Sequence, residues 1–335
     1  MSRLARIRSS TLLWPLVALG TILLYNLLFT PGFFHVEIKD GRLFGSLVDV
    51  VKNAVPVMII ATGMSLVIAT GGIDISVGAV VAIAGAVAGI LIQAHAGLAA
   101  VLALSLLATL ACGGFNATPV AALDSQPIIA TLILMVAGRG IAQLVVGGPV
   151  LWFKGALPSF QVLGSGYFLG IPVPVFVAAG VLLVVHLILR MSPLRLLIQA
   201  IGGNARASRY SGISVRGVKA VVYAFSGLCA GVAGLVMAAN IGGANAALLG
   251  LYIELDAILA VVIGGTSMTG GKFYLAGSML GALIIQTLTT TILTKGVPVQ
   301  YTLVVKAMVV VLVILLQSGE FRKRVGQLVP GRPAP

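Results

Sequence analysis

The chain has 335 residues, of which 59% are hydrophobic and only 9% charged, against about 25% charged in an ordinary soluble domain. So few charges cannot clothe a water-soluble surface, the hydrophobicity excludes disorder, and the 42 glycines lack the three-residue period of a collagen-like fibre. A net charge of +13 would suggest nucleic acid as the partner of a soluble protein, but membrane proteins retain Lys and Arg in cytoplasmic loops, so no nucleic-acid partner is expected.

Residues 1–10 are basic and lead into an apolar run at 11–29 with no small-residue cleavage site; this reads as a retained first span rather than a signal peptide. Further runs able to cross a hydrocarbon core of about 30 Å lie at 54–70, 76–94, 97–123, 127–146, 173–189, 218–239, 273–293 and 301–317. The run at 255–264 is too short to cross alone and reads as a half-helix, or as a helix that begins nearer Leu248. The predicted fold class is therefore all-α: one polytopic membrane domain over residues 1–335 with about ten transmembrane helices.

Orientation follows from the basic residues. With the N-terminus in the cytoplasm, the inner side carries Arg3, Arg6, Arg8, Arg190, Arg195, Arg206, Arg209, Arg216, Lys219, Lys272, Arg322, Lys323, Arg324 and Arg332. The outer side carries only Lys39, Arg42, Lys52, Lys154 and Lys295. Both termini then lie in the cytoplasm, the C-terminal one as a tail over 319–335, which requires an even number of crossings. The long inner loop at 190–216 mixes Arg, Ser and Gly with helix formers. One or two short surface helices are expected there, serving either as a lipid-binding interfacial segment or as a docking surface for a cytoplasmic partner.

Ionisable side chains inside apolar spans are costly and usually face a protein interior or a wet cavity. Asp74, Arg139, Asp256 and Lys306 are the four, with Glu254 near the outer end of the short eighth run. Asp74 and Ser76 lie in Gly71-Gly72-Ile73-Asp74-Ile75-Ser76-Val77-Gly78, where both are good N-cap types. The stretch reads as a broken helix beside protein or water, or as a tight turn at the cytoplasmic edge. The stretch 254–265 repeats 74–85 in outline, an acidic residue followed by small and β-branched residues and then Gly. An offset of five spans reverses direction through the bilayer, so the pattern predicts an inverted-topology repeat with broken helices. Arg139 is open to pairing with Asp74 or Asp256, or to snorkelling outward, and Lys306 has similar choices. Gly227, Gly231 and Gly234, and Gly277 and Gly281, suit close helix packing.

Cys112 and Cys229 lie in apolar runs and read as small buried hydrophobes. His35, His95 and His186 have no metal-ligand spacing, and neither a catalytic constellation nor a Gly-x-x-x-x-Gly-Lys-Ser/Thr phosphate loop occurs. The chain is thus read as a non-enzyme without metal or cofactor, and any ATP hydrolysis must come from another polypeptide.

The motifs at 71–79, Gln126-Pro127-Ile128-Ile129-Ala130-Thr131-Leu132, 135–140, 200–208, Ser211-Gly212-Ile213, 254–267 and Gly270-Gly271 together resemble the permease subunits of bacterial ATP-binding-cassette importers for ribose, galactose and related sugars. The likeness spans roughly 43–317. It implies a second permease chain, identical or paralogous, two cytoplasmic ATPases that bind the ATP and Mg, a periplasmic sugar-binding protein and an inner-membrane location. It makes 190–216 the coupling segment, with Gln199, Gly202, Asn204, Arg206, Ser211 and Gly212 as docking residues. Family members commonly carry Glu where this chain has Gln199, which removes one salt bridge from the expectation. Asp40-Gly41-Arg42-Leu43-Phe44-Gly45-Ser46 and 136–140 are similar to galactofuranose importer permeases in particular. Asp74, Ser76, Asn116, Arg139, Glu254, Asp256, Thr266 and Ser267 are the expected polar residues of the translocation pathway. A secondary transporter using Asp74 or Asp256 as an ion site, and a membrane-embedded enzyme, are the rival classes.

Overall fold

The computed structural model describes residues 12–317; the basic N-terminal residues Arg3, Arg6 and Arg8 and the tail at 319–335 lie outside them. A first helix α1 (Leu13–Phe29) is followed by a small antiparallel hairpin, β1 (Glu37–Lys39) and β2 (Arg42–Phe44). Asp40 and Gly41 form its two-residue loop, both with positive φ, 51° and 71°, as the favoured hairpin turn requires. Next come α2 (Ser46–Ala69), α3 (Val77–Gln93), α4 (Leu98–Ala117) and α5 (Pro127–Val146). The last turn of α4 widens into a π-helical turn at Thr118–Ala122, where Pro119 cannot continue α-helical bonding.

The loop after α5 contains β3 (Leu151–Trp152), a short helix α6 (Pro158–Ser165), and a hairpin of β4 (Tyr167–Phe168) and β5 (Ile171–Pro172). Helix α7 (Val173–Met191) leads into two short helices, α8 (Leu194–Gly203) and α9 (Ala205–Tyr210), where surface helices were expected. Helix α10 (Val215–Ile241), β6 (Gly243–Ala244), α11 (Ile253–Ile263), α12 (Leu275–Thr294) and α13 (Val299–Gln317) complete the chain, with β6 paired antiparallel to β3.

A helix stands at each predicted apolar run. Among the described residues, six helices are long and apolar enough to cross a membrane, namely α2, α4 with its π turn, α5, α7, α10 and α12; α1 and α3 are shorter apolar helices. Helix α2 begins at Ser46 rather than near 54. Its first turns carry Asp49, Lys52 and Asn53, which lower local hydropathy without breaking the helix, so Lys52 lies on a helix and not in an outer loop. The eighth run is the short helix α11, starting at Ile253 and not at Leu248.

Helix α10 lies at the centre and packs on α2, α3 and α4. Backbones approach closely through small residues, as the glycine pattern predicts. A Cβ on Gly227 would meet Gly113 of α4, one on Gly234 would meet Val81 and Ala84 of α3, and one on Gly277 or Gly281 of α12 would strike the α11 backbone at Gly264 or Ala260. Cys229 is buried in this core and Cys112 half-buried beside it. Outward-facing apolar side chains such as Leu107, Ile129, Ile133, Val136, Leu183 and Val184 on α4, α5 and α7 suit a hydrocarbon solvent.

Candidate functional site

The chain between α2 and α3 is the first break. Gly71, at φ 80°, supplies the left-handed turn that ends α2. Residues 72–76 are non-helical, and α3 resumes at Val77. Asp74 is 1% exposed. Its Oδ1 accepts from Ser76 N (3.1 Å), Ser76 Oγ (2.7 Å) and Asn116 Nδ2 (3.3 Å), and its Oδ2 from Ser226 Oγ (2.8 Å). Asn116 Nδ2 also donates to Ser76 Oγ at 2.7 Å. The capping expectation needs correction. Ser76 occupies the N-cap position, yet its hydroxyl makes no cap bond to the helix; the carboxylate is the stronger acceptor and takes it. Asp74 therefore ties the break to α4 through Asn116 and to α10 through Ser226. Thr131 of α5 adds a third tie, its Oγ1 accepting from Ile75 N (3.3 Å) while it donates to Pro127 O of its own helix (3.0 Å).

Ser226 and Thr131 carried no sequence signal of this role. Hydroxyls in apolar helices usually bond their own preceding turn, as Thr62, Ser65, Thr287 and Thr131 itself do here. Two buried polar atoms at this break, Asn116 Oδ1 and the Tyr223 hydroxyl packed on Gly72, have no hydrogen-bond partner among the described residues.

The second break lies between β6 and α11. Arg139 reaches neither Asp74 nor Asp256. Its Nη1 donates to Leu249 O (2.6 Å) and Ala246 O (3.2 Å), and its Nη2 to Gly250 O (3.4 Å). Carbonyls of a non-helical segment need such donors when water is excluded. Asn245 serves the same segment's amides, its Oδ1 accepting from Ala247 N and Leu248 N, both at 3.1 Å. Tyr252 precedes α11 in the left-handed region, at φ 63°, an uncommon conformation for a non-glycine. Glu254 is 5% exposed, and its Oε2 has no hydrogen-bond partner among the described residues. It lies against Gly78 of α3, where a Cβ would collide with that oxygen and come within 3.4 Å of Arg139 Nη2. The first turns of α3 and α11 thus meet at a glycine.

Asp256 pairs instead with Lys306 of α13, Lys306 Nζ lying 2.9 Å from Oδ2 and 3.2 Å from Oδ1. After α11, Thr266 is buried and its Oγ1 accepts from Tyr274 N at 3.2 Å, while the half-buried Ser267 shares a 2.7 Å hydroxyl bond with Thr269. The eight expected pathway residues therefore fall into three groups. Asp74, Ser76 and Asn116 form one network, Arg139 and Glu254 adjoin each other at the second break, and Asp256, Thr266 and Ser267 lie along α11 and its exit turn.

Helix α8 is amphipathic. Ile198 and Ile201 are buried, whereas Arg195 and Leu196 are exposed. Asn204 ends it and caps α9, its Oδ1 accepting from Ala207 N at 2.9 Å. Asn204, Arg206, Ser211 and Gly212 are exposed and Gln199 is half-buried. Gly202 behaves differently, because it faces the helix bundle. A Cβ there would land on Ala69 O, at the end of α2, and on Gly271 N. Those two atoms are themselves bonded, Gly271 N donating to Ala69 O at 2.9 Å. Gly270 lies on Gly202 and on Gly71. The end of α8, the first break and the turn after α11 therefore share one contact point made of glycines. Asp124 holds the same end together, with Arg209 at 3.5 Å and Lys219 at 3.9 Å.

Comparison with known proteins places this architecture. Residues 46–314 match the family described as "Branched-chain amino acid transport system / permease component". The chain is 48% identical to a galactofuranose transporter permease protein of Escherichia coli, over 92% of this chain and 91% of that one. It is 36% identical to a fructose import permease protein of Bifidobacterium longum, over 93% and 89% of the two chains. A ribose import permease protein of Escherichia coli is 38% identical over 90% and 92%. No solved structure matches the chain. With four-fifths of its length covered by the family and near-complete alignment to these relatives, the chain belongs to this family of multi-pass membrane permeases.

Proposed function

We propose that the chain is the membrane-spanning subunit of an ATP-driven importer that carries a monosaccharide, galactofuranose or a related sugar, into the cytoplasm. The observation that carries this reading is the near full-length identity of 48% to a galactofuranose permease, together with the absence of any phosphate-binding loop in the sequence. A motor must then come from a separate cytoplasmic ATPase, which would hold the ATP and Mg, and this chain would carry no cofactor. A second permease chain, identical or paralogous, and a periplasmic sugar-binding protein complete the proposed assembly. The family description names branched-chain amino acids, but the curated relatives above are sugar permeases, which favours a sugar.

The proposed topology has ten crossings with both termini in the cytoplasm, supported by a helix at each of the ten apolar runs and by the crowding of arginines around α8 and α9. An inverted repeat relating α3 to α11 is supported by a non-helical segment before each and by the meeting of their first turns at Gly78 and Glu254. In the proposed cycle, the exposed face of α8 and α9, with Gln199, Asn204, Arg206, Ser211 and Gly212, docks on the ATPase. Gly202 transmits the movement to both breaks. Asp74, Ser76, Asn116, Arg139, Glu254, Asp256, Thr266 and Ser267 are proposed to line the pathway or set its width. Asp74, Ser76 and Asn116 are fully buried here, so they meet sugar only after the break moves.

The test is uptake by proteoliposomes holding the permease, its ATPase and its binding protein, with a panel of pentoses and hexoses in furanose and pyranose forms. Uptake should require ATP hydrolysis and survive collapse of ion gradients. Uptake without an ATPase that stops with the gradient would establish a secondary transporter instead.

A further inference from the structure

At the end of the molecule that carries α8, a cleft of about 500 Å³ opens between α1, α7, α8 and the turn before α12. Leu12, Phe273 and Tyr274 supply apolar and aromatic wall, and His186, Arg190 and Arg195 supply the polar side. His186 and Arg190 are four residues apart on α7 and so share a face; Arg195 follows the Ser192-Pro193 bend into α8. Among the described residues, no carboxylate lines the cleft. Neither arginine takes part in an ion pair among the described residues. The adjoining flank of α7 is apolar and outward-facing at Leu183, Val184 and Leu187.

Two guanidinium groups without an ion-pair partner among the described residues and an imidazole lining one cleft suit a phosphate. The apolar wall and flank require that the phosphate come with acyl chains. We infer that this cleft holds the headgroup of an anionic phospholipid, with Arg190 and Arg195 on the phosphate and the chains running along α7. Basic clefts between helices at the cytoplasmic leaflet are physically suited to such headgroups. A lipid there touches α7 and α8 together, so it steadies the seat of α8. The inference needs only that α7 faces lipid, and does not depend on the transported solute.

The experiment uses the full chain in nanodiscs of phosphatidylcholine with added phosphatidylglycerol, and native mass spectrometry counts retained lipid. Wild-type protein should retain phosphatidylglycerol over phosphatidylcholine. Arg190→Gln or Arg195→Gln alone should weaken retention about fivefold and both together roughly thirtyfold, as expected for basic side chains near anionic lipid. Arg216→Gln loses the same charge outside the cleft and should change nothing. Ala276→Trp fills the cleft without altering charge and should release the lipid. Equal retention of both lipids by wild-type protein, or full retention by the double variant, overturns the inference. In lipid-free detergent, inorganic phosphate should fail to bind; binding lost in Arg190→Gln would make the cleft a site for free phosphate and overturn the lipid assignment.

Discussion

Gly202→Ala tests whether α8 drives the two breaks through direct contact. A single methyl group at 202 would overlap Ala69 O and Gly271 N, so the end of α8 must lift by about 1.5 Å to restore ordinary contact. Overpacking of this kind costs about 1–3 kcal/mol. If the methyl group also separates Gly271 N from Ala69 O, a buried backbone bond worth about 0.5–1.5 kcal/mol is lost. Gly203 is the matched control, since a Cβ there meets nothing within 4 Å and Ala is the better helix former. In proteoliposomes with the ATPase and binding protein, Gly202→Ala should lower sugar uptake about tenfold or more per ATP hydrolysed, while Gly203→Ala stays at the wild-type ratio. Equal uptake-to-hydrolysis ratios for the two variants would refute transmission through this glycine. Loss of ATPase binding by Gly202→Ala would instead show that the residue belongs to the docking face.

Ser226→Ala removes the hydrogen bond to Asp74 Oδ2 and should destabilise the protein by about 1.5–3 kcal/mol, read as a lowered midpoint of thermal unfolding; Asp74→Ala, which removes the acceptor, should make Ser226→Ala nearly silent in a double-mutant cycle. Asp256→Asn or Lys306→Met alone should cost about 1–3 kcal/mol, below the value for a fully buried pair because the side chains are 24% and 13% exposed, and the double change to Leu and Met should recover most of it. Arg139→Lys keeps the charge beside Glu254 but loses the fork that spans three carbonyls. It should speed amide hydrogen exchange over 245–252, and unchanged exchange there would assign Arg139 a purely electrostatic role.

The helices were legible because apolar runs report burial in lipid directly, and the short α11 was legible because ten or eleven apolar residues cannot span a bilayer. The start of α2 was hidden by Asp49 and Lys52, since hydropathy measures the solvent a residue prefers and not whether its backbone is helical. Asp74, Ser76 and Asn116 announced themselves as polar groups in apolar sequence, but their partner Ser226 resembles any small helix residue. Arg139 was visible while its partners were not, because backbone carbonyls leave no mark in a sequence. Gly202 was read with the outward docking residues. Its inward contact depends on Ala69 and Gly271, far away in the chain, being brought to the same point by the fold.

The two breaks explain each other. Helix α11 has 11 residues and so rises roughly 16 Å, about half of a hydrocarbon core. The non-helical segment before it must therefore lie well inside the bundle, where its amides and carbonyls cannot rely on water. Asn245 and Arg139 meet that need, which gives a charged residue in the apolar helix α5 a structural reason to exist. Because α11 begins beside Gly78 and its exit turn rests on Gly71 and Gly202, it runs against the direction of α3, and both of its ends touch the first break. In the proposed cycle, a displacement of α8 acting on Gly271 would reach Glu254 along the short helix α11 and Asp74 through the non-helical turn that follows Gly71. Contacts shared in this way are what the proposed alternation between the two breaks would require.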